Sequence, residues 1–119
     1  IRALLNDPRV VLLDEPFRGV DALTKSVTHN ALLELYDLTH KTVMFITHDL
    51  EEAIYLADRV LVMASRPGHI KQTIQVNLPR PRNLKLLSSP EFLELKEEVI
   101  EAVHDEAVKA FISGEREHA

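Results

Sequence analysis

The chain has 119 residues, 45% of them apolar, enough for one modest core and therefore for a single domain. Its 14 basic and 19 acidic side chains leave a formal net charge of -5, which argues against a nucleic-acid partner held mainly by phosphate contacts. The lack of cysteine excludes a disulfide framework and a thiolate zinc site, and no apolar run reaches the roughly 18 residues that a membrane-spanning helix needs.

Residues 2–6 read as the end of a helix stopped by Asp7 and Pro8, and because the chain opens inside that helix on Ile1, a longer parent is expected. Residues 10–13, VVLL, are apolar without alternation, the pattern of a strand buried in a parallel sheet. Asp21 is placed to cap a helix over 22–39, with Leu23, Val27, Ala31, Leu35 and Leu38 at helical spacing. A short strand over 42–46, a short helix over 51–57 and a third apolar strand over 59–63 follow. Strand and helix alternate, which predicts an α/β layer of parallel strands whose functional residues collect beyond the strands' carboxyl ends. Farther on, Pro67 and Gly68 mark a turn, 69–76 alternates as a strand, and 79–81 forms an extended linker. Ser88 or Ser89 then caps a helix over 90–113 with Phe92, Leu95, Val99, Val103, Ala107 and Phe111 on one face. From Glu91 onward 9 acidic residues stand against 3 basic ones, and the other face reads as solvated.

Asp14 and Glu15 follow the first strand, while Thr47, His48 and Asp49 follow the second, so parallel pairing brings two polar clusters to one sheet edge. An Asp-Glu pair before Pro16 is also an ordinary strand-ending turn. Thr47 and Asp49 read as helix caps, and so does Asp21. A carboxylate at the mouth of a buried strand nevertheless suits magnesium held through water. A second carboxylate beside it can orient and deprotonate a water that attacks a phosphate.

VVLLDEP resembles the Walker B segment of ATP-binding cassette (ABC) ATPases, GVDAL resembles their D-loop, and FITHDLEEAIYLADRVLVM resembles their switch-histidine segment and the strand after it. Three motifs in the family's order and spacing are more specific than any one of them. The likeness covers residues 1–63. A looser one, through SRPGHIKQTIQVNLPRPR and SSPEFLELKEEVIEAV, points to ATPase subunits of importers of nitrate, sulfonates, taurine and related solutes. The resemblance implies the carboxyl-terminal part of a P-loop NTPase parallel sheet with flanking helices and a helical tail. Residues 1–78 would be half of a nucleotide-binding domain, and 79–119 a linker and amphipathic helix. It also implies ATP and Mg2+, with Asp14 helping to hold the metal, Glu15 as general base, His48 on the γ-phosphate and Asp21 at the interface with a second nucleotide-binding subunit. The implied partners are transmembrane permease subunits and, through them, a solute-binding protein, with the chain peripheral on the cytoplasmic face of the cell membrane. A soluble ABC-type ATPase of translation or DNA repair would use the same motifs. The second cassette, long coiled coil or basic stripe that would mark one is not in this sequence.

Two departures from the family pattern bear on function. Phe17, Arg18, Gly19 and Val20 stand where many members carry small residues, and Gly19 keeps one position free for positive φ. There is no G-x-x-x-x-G-K-[ST] phosphate loop, Q-loop or LSGGQ-like signature, and the three glycines, Gly19, Gly68 and Gly114, belong to no phosphate cradle. The 119 residues alone are therefore expected neither to bind nor to hydrolyse ATP. In the family the phosphate-loop strand lies between the strands at 42–46 and 59–63. A gap is expected there, closed by direct pairing of those two strands, by a second copy or by a larger fold.

Overall fold

The computed structural model describes residues 9–65 and 68–118, so the helix end expected at 2–6 and Pro67 of the expected turn lie outside the described residues. β1 (Val10–Asp14) and β2 (Thr42–Ile46) form a two-stranded parallel sheet, with Val10 opposite Thr42 and Asp14 opposite Ile46. Parallel neighbours need a crossover, which α1 (Ala22–Thr39) supplies. Asp21 starts that helix by accepting the Thr24 amide at 2.9 Å and the Thr24 hydroxyl at 2.8 Å. His40 ends it at φ 49°, in the left-handed conformation typical of helix termini, and its N–H donates to the Tyr36 carbonyl.

α2 (Leu50–Leu56) leads into β3 (Arg59–Ser65), which pairs antiparallel with β4 (Gly68–Gln75). A 3-10 turn (Leu84–Ser88) precedes α3 (Pro90–His118), where Ser89 Oγ accepts the Phe92 amide at 3.2 Å. α3 outruns the expected end at 113 because it continues through Gly114, and an interior glycine costs a helix only about 1 kcal/mol.

The core lies between the hairpin, α2 and α3. Val60, Val62, Ile74, Val76, Ile54, Tyr55, Phe92 and Val99 are buried there, and Leu33 is the contribution of α1. Val60, Val62 and Ala64 face inward while Leu61 and Met63 face outward, the alternation of a sheet covered on one side. Lys71 Nζ ties the hairpin to α3 by donating to the Ala102 carbonyl at 3.2 Å and pairing with Glu106 at 3.2 Å. Lys96 on α3 reaches Glu51 on α2 at 2.7 Å.

The third strand does not extend the parallel sheet: β3 has turned to β4, and β2 and β3 belong to separate sheets. Their sequences are alike, and an apolar run fixes strand character without choosing a partner. The gap expected between 42–46 and 59–63 is thus not closed by direct pairing. β1 is buried only at Val11, with Val10 and Leu12 each 59% exposed. α1 packs by a stripe other than the expected one: His29 and Leu33 are buried, and Leu23, Val27 and Leu38 are exposed. In α3, Phe92 and Val99 are buried as expected, but Val103, Ala107 and Phe111 are exposed, because the buried part of the helix ends at Ala102.

Candidate functional site

Register builds the site. Asp14 lies opposite Ile46, and the Glu15 N–H donates to the Ile46 carbonyl at 2.8 Å, so the segments that follow β1 and β2 leave the sheet side by side. Pro16 has no amide to continue the ladder, and the chain turns over 15–20. Within that turn Gly19 takes φ 80°, the freedom its residue type allows. Glu15 takes φ 43°, a left-handed conformation that a side chain with a Cβ disfavours and that its surroundings must hold.

Those surroundings are polar. His48 Nδ1 donates to Glu15 Oε1, and Arg18 Nη1 lies 3.3 Å from Glu15 Oε2. The His48 hydrogen bond holds the Glu15 carboxyl below its ordinary value against the opposing effect of burial, and the charges of His48 and Arg18 act in the same direction as the bond. The Glu15 side chain is 15% exposed and that of His48 is 90% exposed.

Behind this pair stands the first turn of α2. Asp49 caps it, accepting the Glu52 amide at 3.2 Å and Lys25 Nζ at 3.2 Å, while Thr47 Oγ1 accepts the Asp49 amide at 3.0 Å. Burial works to raise the Asp49 carboxyl, but the Glu52 amide and the Lys25 ammonium outweigh it, and the carboxyl lies below its ordinary value. Glu52 is buried and meets His29 Nε2 of α1 at 2.5 Å, with Lys25 Nζ at 3.9 Å. A cleft of about 390 Å³ opens between the 15–20 turn and the start of α2, lined by Glu15, Phe17, Lys25, His48 and Asp49 among others.

The structure therefore brings Glu15 and His48 into contact and leaves Asp14 exposed at the strand end beside them. Asp49 and Asp21 act as N-caps, Asp21 on the exposed start of α1, whereas Thr47 accepts only the amide of the cap residue Asp49 and caps no first-turn amide itself. Sequence reasoning missed Lys25, His29 and Glu52. The signal was present in the spacing of Lys25, His29 and Leu33, four residues apart along one face of α1. Among the described residues no group of three or more His, Asp or Glu side chains could hold a metal by itself. Magnesium commonly keeps several waters and takes one or two carboxylates with substrate phosphates, and a lone, solvent-facing Asp14 fits that mode. Among the described residues no helix is long and apolar enough to cross a membrane.

No protein-family model matches the chain, but individual proteins do. It is 44% identical over 109 residues to an uncharacterized ABC transporter ATP-binding protein of Methanocaldococcus jannaschii, a match covering 92% of this chain and 40% of that protein. A putative ATP-binding protein of Brucella abortus is 48% identical over 103 residues, covering 87% of this chain and 40% of its own length. An aliphatic sulfonates import ATP-binding protein of Bacillus cereus is 44% identical over 100 residues, covering 84% of this chain and 39% of its own length. The chain spans about 40% of the length of the curated relatives it matches.

Proposed function

We propose, from the premise that the chain belongs to the family of ABC transporter ATP-binding proteins, that it supplies the water-activating arm of an importer's ATPase subunit. The observation that carries this reading is the contact between His48 and Glu15 at the carboxyl ends of adjacent parallel strands. β1 and β2 are then two strands of a P-loop parallel sheet, residues 1–78 belong to the nucleotide-binding domain, and 79–119 form its linker and helical tail. The sulfonate importer among the relatives favours a sulfonate, or a similar small solute such as nitrate or taurine, as cargo.

In this mechanism Glu15 accepts a proton from the water that attacks the γ-phosphate of ATP. Both of its oxygens are engaged in the present arrangement, one by His48 and one by Arg18, and the His48 bond keeps the carboxylate weakly basic. Transfer of the exposed His48 imidazole to the γ-phosphate would free Oε1 and raise its basicity at the moment a base is needed. Asp14 is the residue that would hold Mg2+, which when bound neutralises charge on the phosphate oxygens. Asp21 would face a second nucleotide-binding subunit. The working assembly would dock on membrane permease subunits served by a solute-binding protein, at the cytoplasmic face of the cell membrane. Because the 119 residues contain no phosphate loop, the chain by itself should not hydrolyse ATP.

The test is His48→Ala in the full-length protein that carries this chain. Steady-state ATPase should fall at least about tenfold, as for loss of a group that contacts transition-state charge. Turnover equal to that of the unsubstituted protein would remove His48 from the site.

A further inference from the structure

We infer that His29 is a positioning residue that sets the spacing between Glu15 and His48, because its ring touches both of the segments that carry them. The inference rests on the assignment of Glu15 and His48 proposed above. His29 is 8% exposed, on the side of α1 that faces the site. On one side its ring meets the Phe17 ring edge-on, with centroids 5.0 Å apart, and Phe17 lies two residues after Glu15. Phe17 in turn packs on Phe45 of β2, centroids 5.9 Å apart, which seats the turn against the sheet. On the other side Nε2 is 2.5 Å from the carboxylate of Glu52, four residues after His48, and the Tyr55 ring stands 6.3 Å away.

Each arm needs such a support. α2 has seven residues and cannot hold its own geometry by propensity alone. Its Glu52 is 4% exposed, and a carboxylate that deeply placed requires a hydrogen-bond donor. Lys25 Nζ, at 3.9 Å from Glu52, is beyond hydrogen-bond range, whereas His29 is within it. The Glu15 turn is backed by a sheet whose Val10 and Leu12 are exposed, so little apolar burial fixes its position. One buried imidazole thus braces the base on one side and the histidine on the other. An aliphatic side chain of similar bulk would keep the Phe17 contact and lose the Glu52 bond, and an amide would keep both a donor and a comparable size.

The experiment compares His29→Leu and His29→Gln in the full-length protein, by amide hydrogen exchange without nucleotide and by steady-state kinetics with Mg-ATP. In His29→Leu, exchange should quicken over 47–53, where the Glu52 bond is lost, and change little over 15–20, where the Phe17 contact is kept. kcat should fall roughly 10- to 100-fold, the scale on which small misplacements act. KM for Mg-ATP should change less than about threefold, since a fault of alignment leaves ground-state binding in place. His29→Gln should restore both exchange and kcat most of the way. A folded His29→Leu with unsubstituted exchange and kcat would overturn the inference, and so would a His29→Gln as impaired as His29→Leu. Should His29→Leu fail to fold, Phe17→Leu decides: it removes the ring from the opposite side, should quicken exchange over 15–20 and lower kcat, and would overturn the inference if it changed neither. If the unsubstituted protein hydrolyses no ATP, the functional reading falls, and the exchange arm still shows whether His29 spaces the two segments.

Discussion

The two sheets are built on similar short runs rich in Val, Leu, Ile and Met, β1 and β2 in one and β3 in the other, and reach different states of burial. In the antiparallel hairpin Val60, Val62, Ala64 and Ile74 are buried under α2 and α3, and the inward-facing side of β3 is shielded throughout. In the parallel pair only Val11 is buried, while Val10, Leu12, Met44 and Ile46 are exposed. The candidate chemistry stands on the second sheet. Its geometry is carried by directed polar contacts at one end, Glu15 with His48 and Arg18, Asp49 with Lys25, and Glu52 with His29, rather than by apolar area. The hairpin side is the packed anchor and the parallel side carries the candidate site, the two being joined through α2, whose later residues Ile54 and Tyr55 lie in the core.

The contrast breaks first on stability. Phe92 is fully buried, and Phe92→Ala should cost about 3 to 5 kcal/mol in denaturant unfolding, against less than about 1 kcal/mol for Leu12→Ala on the exposed sheet. Comparable losses at the two positions would erase the distinction. Arg82 tests the joint between the two sides. Its guanidinium donates to the carbonyls of Ile54 at 3.2 Å, Tyr55 at 2.9 Å and Ala57 at 3.1 Å, closing the carboxyl end of α2, while its Nε is buried without a partner. Burial pulls its pKa down to about 10. Arg82→Ala should cost about 1 to 3 kcal/mol, the usual penalty for buried carbonyls left unsatisfied. An unchanged unfolding midpoint would show that water serves those carbonyls as well.

A smaller effect concerns acid. The carboxyls of Glu15, Asp21 and Asp49 all lie below their ordinary values in the folded chain. The unfolded chain therefore binds more protons, and the stability these groups contribute is present above the ordinary carboxylate range of about 4 and is lost as pH falls through the lowered folded values. Exchange protection should drop over 15–20 and 47–53 before it drops in the hairpin. Asp49→Asn should flatten that dependence at 47–53, and an unaltered slope would remove Asp49 from the account.

Much of the parallel side was legible in the sequence. α1 has the expected bounds because Asp21 is a strong cap and the apolar periodicity ends at Leu38, just before the left-handed His40. The meeting of Glu15 and His48 followed from strand order alone, since a parallel pair must place both carboxyl ends together. Partner choice was not legible: RVLVM and VVLL look alike, yet β3 pairs antiparallel with β4 and not with β2. The packing face of α1 was misread because its aliphatic stripe is the more conspicuous one, whereas the buried stripe includes a histidine whose burial depends on a glutamate 23 residues away. Local periodicity carries no trace of that pairing.

The central claim is that Glu15 is the base of a hydrolytic pair mounted on the less buried sheet. Its most direct test is Glu15→Gln in the full-length protein, with Mg-ATP binding and phosphate release measured on the same preparation. Binding should persist within about threefold, because the amide occupies the same space and Asp14 is untouched. Phosphate release should fall by about 10² to 10⁴, the range of general-base contributions. Turnover within about a factor of two of the unsubstituted protein, well short of that range, would contradict the assignment of Glu15 and with it the reading of the site.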